Sequence, residues 1–237
     1  MSRCIVTVGV NPQRAFGQFH ERFDRTMRKF GDADEVIQWR EDWPPGSPSH
    51  EKVHYGFKVH AIEEARRRGH TLILWLDVSC FAMKPMAPLW DRIKEKGHFF
   101  IIGDDRLGNW SSDHCLGYFG VSRDEAMAIK LFSGTIVGLN LANPQAVEFF
   151  AQWKAHAVPE HFNGTHRSGL LGYVPDTEGK LMSSDPRCQG HRADEPYTTL
   201  IARRMGLAPS FLGDFFSGGM DVTENCVLRS GYDTKES

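Results

Sequence analysis

The chain has 237 residues, 41% hydrophobic and 24% charged, which is enough for a full core and fits one large α/β domain better than two small ones. Lysine and arginine number 28 against 30 aspartates and glutamates, a net charge of −2, so no global basic field points to nucleic acid as a partner. The five cysteines are odd in number and scattered, and residues 1–10 lack the charged start and cleavage region of a signal peptide. The scattered cysteines point to a reducing compartment, so the expectation is a cytoplasmic protein, and with no apolar run of membrane-spanning length no stable membrane insertion is expected.

Residues 4–10 (CIVTVGV) are β-branched and apolar and read as the first strand, ended by the turn pair Asn11-Pro12. Phe19, Phe23, Met27 and Phe30 recur at three- and four-residue steps and predict a helix over 16–30. A short strand over 36–39 follows. Residues 43–50 carry three prolines and a glycine and read as a loop, leading to a helix over 52–68 closed by Gly69. Next comes the apolar strand TLILWL, then a short helix to Lys96, a strand over 98–102 ending in Gly103-Asp104-Asp105, and a polar stretch over 106–120. Ser122 and Glu125 form a capping box for a helix expected to reach Phe132. A strand over 134–141 and a helix opened by Asn143-Pro144 complete the middle of the chain.

Residues 158–190 hold five glycines, three prolines and two histidines, and a stretch of that length and composition is expected to be a lid or acceptor loop. A last helix spans 194–205, with Pro196 in its first turn, and residues 233–237 are a frayed tail. The alternation of strand and helix predicts α/β architecture with a mostly parallel sheet flanked by helices, in one domain over 1–237.

In such sheets ligands bind beyond the carboxyl ends of strands, and Asp77 and Ser79 stand at the end of the TLILWL strand. An aspartate there holds a ribose hydroxyl or a divalent cation, or merely caps the following turn. Asp194 and Glu195 open the last helix, where two adjacent acids either stabilise its N-terminus or send one carboxylate into the crevice. Lys58 in a helix is ordinarily solvated. Gly134 and Gly138 permit close backbone approach or serve as plain strand glycines. Trp110 and Tyr118 offer aromatic faces for a sugar, with core packing as the equal alternative. Cys188-x-x-His191 lacks a second half-site and is not read as zinc-binding.

Three segments together resemble the GT-A class of nucleotide-sugar-dependent glycosyltransferases: Tyr55-Gly-Phe57-Lys58 with its helix and the following WLDVS; Phe132 to Asn140 with the helix to Trp153; and His191-Arg-Ala-Asp194-Glu195 opening the last helix. The resemblance implies a single-domain GT-A-like (Rossmann-like) fold and transfer of a sugar from a nucleotide-sugar, such as a UDP-sugar, to a hydroxyl acceptor. The acceptor would be a glycan, a small molecule or a hydroxymethylated base in phage DNA. It further implies donor binding by Val8, Gly9, Lys58, Asp77, Ser79 and Gly134, catalysis by Asp194 and Glu195, and Mn²⁺ or Mg²⁺ on Asp77 and His191, with Asp104 or Asp105 assisting. Ser79 replaces the second acid of the family's Asp-x-Asp, so a metal-free site using Lys58 or an arginine is the other possibility. A nucleotidyltransferase and a catalytically silent nucleotide-sugar-binding module are the competing functions. No glycine-rich phosphate loop follows the first strand, which weighs against the former.

Overall fold

A computed structural model of the chain describes residues 1–10, 16–165, 182–211, 214–218 and 224–231. The strands β1 (Arg3–Val8), β2 (Glu35–Trp39), β3 (Leu72–Leu76), β5 (His98–Arg106), β6 (Lys130–Asn140) and β7 (Ser210–Phe211) make one sheet in the order β2-β1-β3-β6-β5-β7. β1 runs parallel to β2 and β3, and β5 parallel to β7, while β6 is antiparallel to both of its neighbours. The helices are α1 (Gly17–Phe30), α2 (Phe57–Arg67), α3 (Ala87–Lys96), α4 (Asp113–Phe119), α5 (Arg123–Ala128), α6 (Pro144–Ala155), α7 (Pro159–Phe162) and α8 (Asp194–Arg204). The molecule is therefore mixed α/β, with a mostly parallel central sheet between helices, as its alternating sequence pattern predicts.

Strand alternation divides the core into two layers. Ile73 and Trp75 of β3 pack with Val6, Phe100, Val137 and the inner faces of α2, α6 and α8. Leu72, Leu74 and Leu76 pack on the other side with Phe23 and Met27 of α1 and Trp90 and Ile93 of α3. A strand whose side chains alternate between two faces must be apolar at every position when both faces are covered, which is why TLILWL shows no period-two polarity. A small sheet of β4 (Cys80–Ala82), β9 (Leu228–Ser230) and β8 (Phe216–Ser217) joins the second layer and was not expected from the sequence.

Several boundaries differ from the sequence expectation. The helix after Ser122 has its capping box but ends at Ala128; Ile129 is already extended, and residues 130–132 begin β6. Pairing of Ile102 with Phe132 and Arg106 with Lys130 recruits this segment into the sheet, so tertiary hydrogen bonding overrides the local helical pattern. The helix expected from 52 starts at Phe57, because Tyr55 has φ +57°, a left-handed conformation that no right-handed helix includes. The polar stretch over 106–120 contains a 3₁₀ turn at Leu107–Asn109 and α4, whose Ser112 side chain accepts the Cys115 N–H. Of the expected lid or acceptor loop, α7 is ordered helix, residues 166–181 lie outside the described residues, and so does the expected frayed tail.

Candidate active site

The site lies where β3 ends and β6 begins. Because β6 runs antiparallel to β3, with Leu76 opposite Ile136, the start of β6 sits beside Asp77, and the Asp77 N–H donates to Thr135 O at 2.9 Å. In the β5–β6 pairing the register jumps from Phe100 opposite Val137 to Ile101 opposite Ser133, leaving residues 134–136 of β6 unopposed by β5. This bulge turns Gly134 and Thr135 toward the crevice, a common use of bulges beside binding sites. A cavity of about 300 Å³ opens there, lined by Tyr55, Lys58, Asp77, Ser79, Gly134, Asp194 and Glu195 among others.

Lys58, on the first turn of α2, is 2% exposed. Its ammonium donates to both Asp194 oxygens at 3.2 and 3.1 Å and to Gly134 O at 2.9 Å, with the Tyr55 ring 4.6 Å away. Burial works against its charge, but Asp194 and then Asp77 outweigh burial and hold the ammonium above its ordinary range. The same burial pushes the Asp194 carboxyl up against the pull of Lys58. With both carboxylate oxygens hydrogen-bonded to one ammonium, the direction at Lys58 decides: the two form a charged pair. A Cβ on Gly134 would stand 2.5 Å from the Lys58 Nζ, so any larger residue here must push the ammonium off its hydrogen-bond partners.

Glu195 follows Ala193, a non-glycine residue at φ +45°, and this strained turn sets both acids at the start of α8. Its Oε1 accepts the Gly134 N–H at 2.8 Å, whereas its Oε2 is buried with no hydrogen-bond partner among the described residues. Arg192 Nη1 stands 3.7 Å from that oxygen. Burial raises the Glu195 carboxyl to about 7, with Arg192 and the Gly134 N–H opposing. Burial likewise raises Asp77 to about 6, opposed first by Lys58. The Trp75 indole N–H donates to Asp77 Oδ1 at 3.2 Å. Two carboxyls thus titrate near neutrality within one cavity, a pattern concentrated at functional sites.

Six of the expected residues, Lys58, Asp77, Ser79, Gly134, Asp194 and Glu195, come together in the cavity. Both Asp194 oxygens accept from Lys58, and Glu195 carries the less constrained carboxylate. Val8 and Gly9 lie at the same end of the sheet without lining the cavity; the Gly9 N–H donates to Trp39 O, and a Cβ on Gly9 would strike the His20 ring. Gly138 serves packing, since its Cβ would lie 2.6 Å from Ile93 Cδ1. Neither Trp110 nor Tyr118 lines the cavity. The Trp110 face is covered by the Arg192 guanidinium at 4.0 Å, and Tyr118 packs on His156.

Of the expected metal pair, Asp77 lines the cavity and His191 does not. His191 is 1% exposed, its Nδ1 accepts the Ser112 N–H at 3.2 Å, its Nε2 bonds His161 O at 2.8 Å, and it does not line the cavity. Burial lowers it to about 4, in keeping with a neutral ring held by backbone groups. The Ser79 hydroxyl is paired with the Ser230 hydroxyl at 3.0 Å. Among the described residues no group of three or more His, Cys, Asp or Glu side chains is arranged to hold a metal ion. Hard divalent ions want several charged oxygens, and here Asp194 is spent on an ammonium. The described protein donors therefore do not by themselves form a closed cage for Mn²⁺ or Mg²⁺.

Sequence reading missed Arg192, Ser133, Thr135 and Ser230 in the cavity wall. Arg192 is held on four sides: its Nη1 bonds Asp105 Oδ2 at 2.7 Å and approaches Glu195, its guanidinium covers Trp110, and its N–H donates to Trp110 O. The adjacency of Arg192 to Asp194-Glu195 was the available signal. Ser133 and Thr135 lay within the Phe132–Asn140 segment but were not singled out, and Ser230 carried no signal, since only the second sheet brings it in.

Among the described residues no helix is long and apolar enough to cross a membrane. No family model and no curated protein matches the chain. Solved structures similar to it include the apo form of mouse xyloside xylosyltransferase 1, at 8% identity and a TM-score of 0.47 over 98% of this chain and 97% of that one. The apo structure of the WbbM bifunctional glycosyltransferase is similar at 9% identity and a TM-score of 0.43, over 65% of this chain and 34% of that one.

Proposed function

We propose that the protein is a GT-A-type glycosyltransferase that moves a sugar from a nucleotide-sugar to a hydroxyl acceptor, with Glu195 as the proton acceptor. The observation that carries this reading is the state of the Glu195 carboxylate. One oxygen is fixed by the Gly134 N–H, the other has no hydrogen-bond partner among the described residues, and burial brings its titration to about 7. A base whose pKa lies near the working pH is best suited to take a proton during reaction.

In the transfer the acceptor oxygen bonds the anomeric carbon as the bond from that carbon to the phosphate oxygen breaks. The bonding pair leaves with the nucleoside diphosphate, and the acceptor proton passes to Glu195. Lys58, held charged by Asp194 and lining the same cavity, opposes the negative charge that develops on the departing group. Asp77, at the strand end with its carboxyl raised to about 6, takes a donor hydroxyl in this reading.

The test is a screen of UDP-, GDP-, CMP- and dTDP-sugars by thermal shift, followed by assay of nucleotide release and sugar transfer. A donor at about a hundredfold excess over its Kd adds ~2.7 kcal/mol of stability, readily seen as a shift. Glu195→Gln should retain that shift and lose transfer. Wild-type transfer by this variant removes Glu195 from the chemistry, and a donor that is bound yet never consumed by the native protein favours the silent binding module.

A further inference from the structure

A second cavity of about 330 Å³ adjoins the first and shares Ser133, Thr135, Arg192, Glu195 and Ser230 with it. Glu195 thus borders both cavities. Resting on the transfer reading above, we propose that this second cavity is the acceptor subsite and that it selects an uncharged or amino-bearing saccharide while rejecting polyanions such as DNA.

Charge, shape and chemistry of the lining all bear on the choice. Asp104, Asp105 and Glu195 line this cavity, and Arg192 is the one cationic side chain among its described lining residues. That guanidinium is already bound to Asp105 at 2.7 Å. Asp104 is fully exposed, and its Lys130 partner is 3.6 Å away. A phosphodiester entering here meets carboxylates rather than the run of free cations that polynucleotide binding requires. A saccharide hydroxyl or ammonium finds acceptors in the same carboxylates and both donors and acceptors in Ser133, Thr135 and Ser230. Phe132 and Phe216 supply apolar wall for the C–H face of a sugar ring. The volume suits a small ligand and is at the lower end of such sites.

Asp104 is the residue to change, because it is exposed, belongs to neither the Lys58 pair nor the Arg192 clamp, and its substitution should not unfold the chain. Nucleotide release and transfer are measured with lactose, glucosamine and a duplex oligonucleotide bearing hydroxymethylated cytosine as acceptors, for native protein, Asp104→Asn and Asp104→Lys. The expected result is transfer to a saccharide and none to the duplex. In Asp104→Lys the KM for glucosamine rises about fivefold, the scale of one solvent-exposed charge contact, with a smaller rise in Asp104→Asn and the donor KM following neither. Transfer to the duplex in preference to both sugars overturns the acceptor assignment alone, as does an acceptor KM indifferent to both substitutions. No consumption of any donor with any acceptor takes down the transfer reading and this proposal together.

Discussion

Replacing Glu195 with glutamine should make the protein more stable at alkaline pH while abolishing its activity. The native carboxyl binds its proton up to about pH 7, whereas the ordinary value of 4.5 applies once the chain unfolds. Between these values the native state binds more protons than the unfolded state, so stability contributed by this group is complete below 4.5 and falls as pH rises through 7. The interval corresponds to about 3 kcal/mol at ~1.4 kcal/mol per pH unit, a ceiling because Asp77 and Asp194 titrate in the same cavity. Glutamine keeps the shape and the acceptor for the Gly134 N–H but does not ionise. The variant should therefore match the native protein near pH 4.5, draw ahead across the window, and level off above pH 7. In a chain of this length about 3 kcal/mol is a rise in Tm of roughly 6–12 °C. Urea unfolding and thermal melts from pH 5 to 9 read the difference directly. A gap that is constant with pH, or that closes at high pH, refutes the assignment of a buried, elevated carboxyl at Glu195. A stabilising substitution that destroys function is what a strained catalytic group predicts.

The pH–rate profile should show the matching acid limb: activity falls as pH drops through about 7, and a profile flat from pH 5 to 8 excludes Glu195 as base. Lys58→Met strands the buried Asp194 carboxylate and should cost about 3–5 kcal/mol in urea unfolding, with the Lys58→Met/Asp194→Asn double variant recovering part of it. A cost below about 1 kcal/mol would mean the pair behaves as an exposed one. Gly134→Ala forces the new methyl against the Lys58 ammonium and should lower both stability, by about 1–3 kcal/mol, and transfer. Gly138→Ala presses on Ile93 instead, so at matched folded fraction its transfer rate should stay near native; equal losses in both variants contradict the placement of Gly134 at the site. The donor-induced thermal shift should persist in EDTA, and its disappearance would show a metal that the protein's own donors do not cage.

Much of the fold was written in local pattern. The all-apolar β3, the amphipathic spacing of α1, and the caps at Ser122 and Asn143 each involve neighbours a few residues apart, where hydrophobic period and hydrogen-bond chemistry act without help from the rest of the chain. The sequence likewise nominated Asp77 and Asp194-Glu195, because strand-end acids and helix-start acids are recognisable in isolation, whereas Lys58 and Gly134 were nominated through the segments that resemble GT-A enzymes. Their division of labour was not legible. Asp194 and Glu195 are adjacent and chemically alike, and only the antiparallel insertion of β6 brings the Gly134 carbonyl to Lys58 and the Gly134 N–H to Glu195. His191 looked like a ligand because spacing says nothing of what a ring nitrogen meets, and folding gave both of its nitrogens to backbone groups of Ser112 and His161. Residues 130–132 looked helical until β5 supplied strand partners. Local energetics chose the elements and marked the reactive side chains; long-range pairing and burial decided which carboxylate is held, which one titrates near neutrality, and what surrounds it.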